Sequence, residues 1–552
     1  MMSSEPLHHF LDDCLATLHE LNPTAATFDG IHTYDDHLED LSRSGIDAHI
    51  QTLASLARRL ATINAESLTA VERIERPWVA AHLQGRLHEL ERIRSWERNP
   101  QVYGELFGAS LAAQALFEYA PAEQRARRVL SKLRQAPRFL HAARDNIKEA
   151  PGIFVKTSLE TLRGVLRFVE TDLPRAFADV DDLGLLGDLA DAQAEAIEAI
   201  KGYLQYVEED LGPRARASFR LGAEQLATKL RLEDGIDVPL DRLLDIGLRE
   251  LGATQEEFRS AAAKVEPGDP VEVWRRIKER DIAVDGVAAT ARTQVGELAR
   301  FLQRRDLVSL PAGETVVVGP TPEFYRWTFA SMWTPGPFET KATRAYYYLT
   351  DVDPAWPAER KQEHLRDVNI PLLWSISMHE VYPGHFLHFQ HLRGIESKAR
   401  KSLVMASPAT VEGWAHYCEQ MMIESGFGKQ DPAIRLGQVA ESLIRIARLI
   451  VAIRLHAEDL SVEQGVRFFR DEAFLEEGSA RREAERGTFD PSYIVYTAGK
   501  LMLLKLREDY KAEQGKGCSL KTFHDTFLRN GLPPLPVHRQ LMLRDTRGAA
   551  LG

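Results

Sequence analysis

The segment His379-Glu380-Val381-Tyr382-Pro383-Gly384-His385 places two imidazoles and a carboxylate close enough in sequence to share one metal ion. When two histidines lie four apart on a helix, both rings leave from one face. The glutamate after the first can then act on a metal-bound water. Here Pro383 and Gly384 delay the second histidine to a spacing of six. On a straight helix that leaves the rings roughly 120° apart, against about 40° for a spacing of four. Proline removes a backbone donor and glycine tolerates unusual dihedrals, so Pro383-Gly384 predicts a local bulge that swings His385 back beside His379. The stretch from His364 to His416 carries six of the 18 histidines, which sets this pair apart from scattered core histidines.

A second carboxylate-bearing stretch follows, Glu412-Gly413-Trp414-Ala415-His416-Tyr417-Cys418-Glu419. Glu412, His416 and Glu419 fall at i, i+4 and i+7 and share one helical face. Catalytic zinc takes three protein ligands and keeps one position open, and two His with one Glu is an established set. Glu412 is the expected third ligand, with His416, His388 and His391 the other candidates. Glu419 is expected to orient a ligating imidazole, as metal-bound histidines usually require. Trp414 and Met421-Met422 make the opposite face apolar, which suits a buried helix better than a solvated acidic one.

Elements elsewhere must position these groups. Apolar residues recur at helical spacing through Ile197, Ile200, Leu204, Val207 and Leu211, stopping at Gly212-Pro213. Similar periodicity covers 50–95, 120–150, 240–265, 289–304, 435–460 and 498–512. Strand-like text is confined to Thr315–Val318 and Arg344–Thr350, the latter including Tyr346-Tyr347-Tyr348. The fold class expected is mainly α: a large multi-helical, two-lobed chain with a small β-element near the site. Breaks at Glu266-Pro267-Gly268-Asp269-Pro270 and around 311–322 suggest a division near residue 300, into an N-terminal lobe (1–300) and a C-terminal lobe (301–552) carrying the chemistry.

The bulk numbers bound the function. A chain of 552 residues with 44% hydrophobic composition can bury a large core. The formal charge of −12, the pI near 5.9 and the lack of a basic stripe argue against nucleic acid as a partner. Three widely spaced cysteines, Cys14, Cys418 and Cys518, indicate a reducing compartment without disulfides or thiolate metal sites. Met1-Met2-Ser3-Ser4-Glu5-Pro6 lacks the basic flank and apolar core of a signal peptide. Apolar runs such as Leu449 to Ile453 are too short to cross a bilayer. The expected location is cytoplasmic, with no membrane contact.

Further groups with chemical potential are Tyr496 and Arg507, on a helix opening at Tyr496-Thr497-Ala498-Gly499-Lys500. A phenol near a metal can donate to an oxyanion, and a guanidinium can clamp a carboxylate. Spacing alone does not select these residues and favours a core tyrosine and a surface arginine. Arg445 and Arg448, on an otherwise apolar helix, either line a cleft or snorkel. No G-x-S-x-G elbow, complete phosphate loop or glycine fingerprint competes with the metal motif.

The H-E-x-x-P-G-H segment followed by E-G-W-A-x-Y-x-E resembles the bacterial "domain of unknown function 885" (DUF885) family of predicted zinc peptidases. Weaker similarity extends along the chain at Gly30-Ile31-His32, Leu221-Gly222 with Leu226, Tyr496-x-x-Gly499 with Arg507, Phe523-His524-Asp525 and Gly531-Leu532-Pro533. The resemblance implies a helical fold akin to thimet-type oligopeptidases and helical metallocarboxypeptidases. It implies that His379, His385 and Glu412 bind one zinc ion, that Glu380 is the general base, and that Tyr496 is an oxyanion donor. Two departures stand out. His416 replaces a usually hydrophobic residue, so it could close the site as a fourth ligand or assist catalysis. Ala452 and Arg454 stand where the family tends to have Asp and Gly, which leaves His456 outside the expected catalytic core.

The expected reaction is hydrolysis of peptide bonds in short peptides, oligopeptidase or carboxypeptidase-like, with Arg507 or another cation holding a peptide terminus. Two other readings stay open: the same chemistry on a non-peptide amide or other small metabolite, and a non-catalytic helical protein with a structural metal.

Overall fold

Helices fill most of the chain in the places where the 3.6-residue periodicity predicts them. The computed structural model describes all residues except 1–5, 281, 284–285, 323–328, 354, 547, 549 and 552. The reading of Met1 to Glu5 therefore lies outside the described residues. The periodic stretch 50–95 is two helices, Arg43–Thr62 and Ala70–His88, because Thr69 opens the second with a capping box to Glu72.

The elements that matter for the site are, in chain order, α1 (Gln101–Leu116), α2 (Gly152–Arg167), α3 (Ala223–Asp234) and α4 (Leu240–Val265). A small sheet follows: β1 (Thr315–Pro320), β2 (Ala330–Trp333) and β3 (Arg344–Leu349). Then come α5 (Ala358–Asp367), α6 (Ile370–Glu380), α7 (His385–Leu392), α8 (Pro408–Glu424), α9 (Pro432–Ala457), α10 (Glu477–Phe489) and α11 (Val495–Gln514). Among the described residues no helix is long and apolar enough to cross a membrane.

Helix α9 is the axis of the C-terminal half. Asp431 caps it by accepting from Ala433 N, and it is buried on nearly every face, as expected of a helix apolar all round. Helices α4, α6, α10 and α11 pack around it. The sheet has the order β1-β3-β2, with β1 parallel and β2 antiparallel to the central β3. Period-two alternation sends the three tyrosines of β3 to opposite sides. Tyr347 enters the C-terminal core, where its hydroxyl lies 3.2 Å from Ser377 Oγ on α6. Tyr346 and Tyr348 stack on each other, 5.6 Å apart, against the core of the α1–α2 region. One strand thus ties the two cores together.

The cores change membership between Leu211 and Leu226. Most of the buried apolar residues from Leu226 onward share the large C-terminal core, including Leu243, Ile246 and Leu251 of α4, which lies along α9. The change in packing therefore falls well before residue 300. Pro267-Gly268 marks only a turn between two helices of the same core.

Candidate metal centre

The backbone at Pro383-Gly384 breaks rather than kinks. Helix α6 ends at Glu380, four residues form a turn, and α7 starts at His385. The turn is tight because Gly384 N donates to Met378 O at 3.0 Å and Tyr382 N to Ser377 O at 3.3 Å. A Cβ on Gly384 would stand 1.7 Å from His379 O, so only glycine permits this return. The turn's outer carbonyl is held from α8: Trp414 Nε1 donates to Pro383 O at 2.9 Å. The result is that His379 and His385, at the facing ends of two helices, bring their ring centroids within 4.7 Å at an interplanar angle of 89°.

Helix α8 delivers the carboxylate. Asp234, at the end of α3, accepts from Ala409 N and from Ser407 Oγ, fixing the N-terminus of α8. Helix α8 then crosses α11 backbone to backbone. A Cβ on Gly413 would meet Gly499 at 2.6 Å, and one on Gly499 would meet Ala409 O at 2.1 Å. This glycine-on-glycine crossing sets Glu412 of α8 and Tyr496 of α11 beside the two histidines.

Glu412 Oε2 lies 3.3 Å from His379 Nε2 and 3.5 Å from His385 Nε2, and the three residues form a potential ligand set. The oxygen is buried without a hydrogen-bond donor. A tetrahedral ion bound about 2.0–2.2 Å from each donor atom holds those atoms about 3.4 Å apart. The spacing and the orphaned oxygen both fit such an ion.

Behind the trio, His379 Nδ1 donates to Glu419 Oε1 at 2.8 Å, an arrangement that would turn the Nε2 lone pair of the neutral ring toward a metal. Glu419 is fully buried and also accepts from Ser375 Oγ at 2.7 Å, with Arg445 Nη2 at 3.1 Å. Burial acts to raise its carboxyl, but Arg445 and the hydrogen bonds from His379 and His416 outweigh that and hold it well below the usual carboxylate range. His416, buried completely, places Nδ1 3.6 Å from Glu419 Oε1, on Glu419 rather than with the three donors.

A cleft of about 610 Å³ opens onto this corner, between α1 and α2 on one side and α5, α9, α10 and α11 on the other. His379, Glu380 and Tyr496 line it. Burial raises the Glu380 carboxyl, with His385 and His379 pulling it partly back. The Tyr496 ring lies 6.1 Å from that of His379, and Arg448 sits 4.9 Å over its face. Burial and then Glu412 push its phenol up to about 12, with Arg486 and Arg448 opposing, so it stays a hydroxyl donor at neutral pH.

Not every expected residue arrives. Arg507 lies on α11 eleven residues beyond Tyr496, on the same face but roughly 16 Å further along the axis. There it donates to Tyr417 Oη at 3.3 Å and pairs with Glu424 at 3.2 Å, and it is not among the described residues lining the cleft. Arg445 and Arg448, whose placement the sequence left open, do line it, with Glu441 and Ile444 on the same face of α9. His456 ties scaffold instead: Nε2 donates to Gly487 O at 2.7 Å and Nδ1 accepts from Leu221 N at 3.3 Å. His391 donates to Ser309 O, and His388 is fully buried outside the trio. Periodicity and spacing missed Asp234, Ser375 and the engagement of Glu419 by Arg445. Only Arg445 carried a signal, a guanidinium in the middle of an apolar helix.

The outer motifs brace these pieces. Ser407 N donates to Leu532 O and Thr410 Oγ1 to Pro533 O, while His524 accepts from Tyr417 Oη, so Phe523 to Pro533 cradles α8.

The chain resembles solved structures over nearly its whole length. One, described as a "putative lipoprotein of unknown function" from Shewanella oneidensis, is 25% identical, with a TM-score of 0.78 over 98% of this chain and 100% of that one. Another, a "putative lipoprotein" from Colwellia psychrerythraea, is 18% identical, with a TM-score of 0.80 over 97% and 98%. An M32 carboxypeptidase from Deinococcus radiodurans R1 aligns at 12% identity over 90% and 95%, but its TM-score of 0.34 carries no argument about this fold. No curated protein matches. The family model described as bacterial protein of unknown function, DUF885, matches residues 23–542. Nearly all of the chain, including every residue of the histidine–glutamate corner, falls in that match, and the chain belongs to the DUF885 family.

Proposed function

We propose that this protein is a zinc-dependent hydrolase that cleaves peptide bonds in short peptides. The observation that carries the reading is the convergence of His379, His385 and Glu412, with an undonated carboxylate oxygen at the centre and Glu380 and Tyr496 on the same cleft wall. Two histidines and a glutamate also accept manganese, cobalt or iron, and zinc is proposed as the resident ion by ligand type. Zinc bound to this set would supply a Lewis acid and a water whose pKa falls to about 7.

The chain's own groups divide the remaining work. Glu380 takes the proton of the attacking water and returns it to the leaving amine. Tyr496 donates its hydroxyl to the oxygen that gains charge at the scissile carbonyl. Glu419 holds His379 in the tautomer and orientation that present Nε2. The cleft volume of about 610 Å³ accommodates a few residues of extended peptide, not a folded protein. The position of His416 behind Glu419 supports a catalytic over a purely structural metal, since a closed structural site would need a fourth side chain among the donors.

Turnover of a dipeptide-to-decapeptide library tests this reading. Glu380→Gln should keep its metal and lose roughly a hundred- to ten-thousandfold in kcat. Unchanged kcat in that variant would remove Glu380 from the mechanism. Cleavage confined to non-peptide amides would move the substrate class.

A further inference from the structure

Seven arginines line the cleft among the described residues, and their pairing divides them. Those near the histidine–glutamate corner are neutralised within the fold. Arg445 pairs with Glu419 and Glu441, Arg448 with both oxygens of Glu483 at 2.7 Å, and Arg486 with Asp490 at 2.8 Å. Two others, Arg360 on α5 and Arg482 on α10, are not. Arg360 makes no ion pair among the described residues, and its guanidinium lies 4.4 Å over the Trp356 ring. Arg482 lies 4.9 Å over Phe329 and donates one N–H to Ser479 Oγ at 2.8 Å, and its nearest carboxylate among the described residues is Asp367 at 4.0 Å. That carboxylate already accepts from Ser479 Oγ.

The two guanidiniums share one surface. His364 stands between their aromatic partners, with its ring 6.0 Å from Phe329 and 5.2 Å from Trp356. All five residues line the cleft. A guanidinium stacked by its flat face leaves the N–H groups it has not already committed in plane, the geometry that grips a carboxylate bidentately. Aromatic support also fixes the plane, so less side-chain freedom is lost on binding. Neither Glu160 of α2 nor Asp353, the carboxylates sharing this part of the cleft, forms an ion pair with either arginine among the described residues; Arg360 acts on Glu160 only through space, drawing its carboxyl down against burial, and Asp353 accepts from Ala355 N at 2.8 Å.

We infer that Arg360 and Arg482 form a subsite for a carboxylate of the substrate, so that the cleft selects peptides carrying a negative charge away from the scissile bond. This substrate class rests on the hydrolase reading, whereas the binding of a carboxylate at this surface does not. The charge has two sources in a peptide, the free C-terminus and an Asp or Glu side chain.

Calorimetry with the zinc-supplemented Glu380→Gln full chain measures binding without turnover. The ligands are four pentapeptides of one sequence, with a single Glu or Gln and with a free or amidated C-terminus. Relative to this parent, adding Arg360→Gln and Arg482→Gln should weaken the charged peptides roughly ten- to a hundredfold and leave the uncharged one unchanged. Adding Arg360→Lys and Arg482→Lys instead should recover part of the loss, which a folding defect would not allow. A loss confined to free C-termini identifies the terminal carboxylate, and one confined to Glu peptides the side chain. Equal losses on charged and uncharged peptides, or no binding by the parent, overturn the subsite. Charge-selective binding together with a wild-type chain that cleaves none of the four would overturn the hydrolase reading alone.

Discussion

Around His32 one imidazole stands between two carboxylates; around Glu412 one carboxylate stands between two imidazoles. His32 Nδ1 bonds Asp35 at 2.9 Å and Nε2 bonds Glu339 at 2.8 Å, joining the N-terminal region to the segment before β3. Burial acts to lower the His32 pKa, but the hydrogen bonds to Asp35 and Glu339 outweigh it and lift it to about 9. Every strong donor there meets an acceptor, and Tyr119 covers the ring at 3.6 Å. At Glu412 one carboxylate oxygen stands 3.3 and 3.5 Å from two imidazole nitrogens without completing a hydrogen bond to either. Residue types alone do not separate a salt bridge from a metal site. The ratio of imidazole to carboxylate, and whether the polar atoms close on each other or on a cleft, does.

Each cluster has a tyrosine, and exchanging both for phenylalanine sharpens the contrast. Tyr119 donates its hydroxyl to Gln114 inside the core, whereas Tyr496 lines the cleft with Arg486 at 3.5 Å. Tyr496→Phe should reduce kcat roughly a hundred- to a thousandfold, with zinc content unchanged. Tyr119→Phe should leave kcat unaltered. Equal effects in steady-state kinetics would make Tyr496 a packing residue.

A smaller effect is expected behind the proposed metal ligands. Glu419→Gln should weaken metal affinity roughly ten- to a hundredfold in a chelator competition, because His379 loses a charged orienting partner. No change there would mean that Ser375 and Arg445 hold the geometry without the charge.

The smallest effect belongs to His32. Its raised pKa means that its ion pairs stabilise the fold fully below about 6.5 and lose that contribution as pH rises through about 9. His32→Gln should therefore lower Tm by a few degrees at pH 7, by less at pH 10, and leave zinc content intact. A Tm difference that does not shrink between those pH values would contradict the charged state of His32.

Much of this corner was legible because its chemistry is local. The H-E-x-x-P-G-H spacing announced a local bulge that brings His385 beside His379, and the i, i+7 relation put Glu412 and Glu419 on one face. The break is complete rather than a kink because Gly384 lies on the His379 carbonyl, a contact that spacing cannot reveal. Groups that act across the fold were hidden. Asp234 reaches α8 from 173 residues away, and β2 is too short to show a pattern. Arg507 shares a helix with Tyr496, but a common helix does not shorten three turns of distance. A Pro-Gly turn does not by itself separate cores: the helices on both sides of Pro267-Gly268 bury apolar faces in one core.

The central claim is that Glu412 completes a metal site with His379 and His385. Elemental analysis of protein purified without added metal, for wild type, Glu412→Ala and His32→Gln side by side, tests it most directly. One zinc per chain in wild type and His32→Gln, with Glu412→Ala depleted, is the predicted result. Full occupancy in Glu412→Ala, or a wild-type chain that takes up no divalent ion, would contradict it.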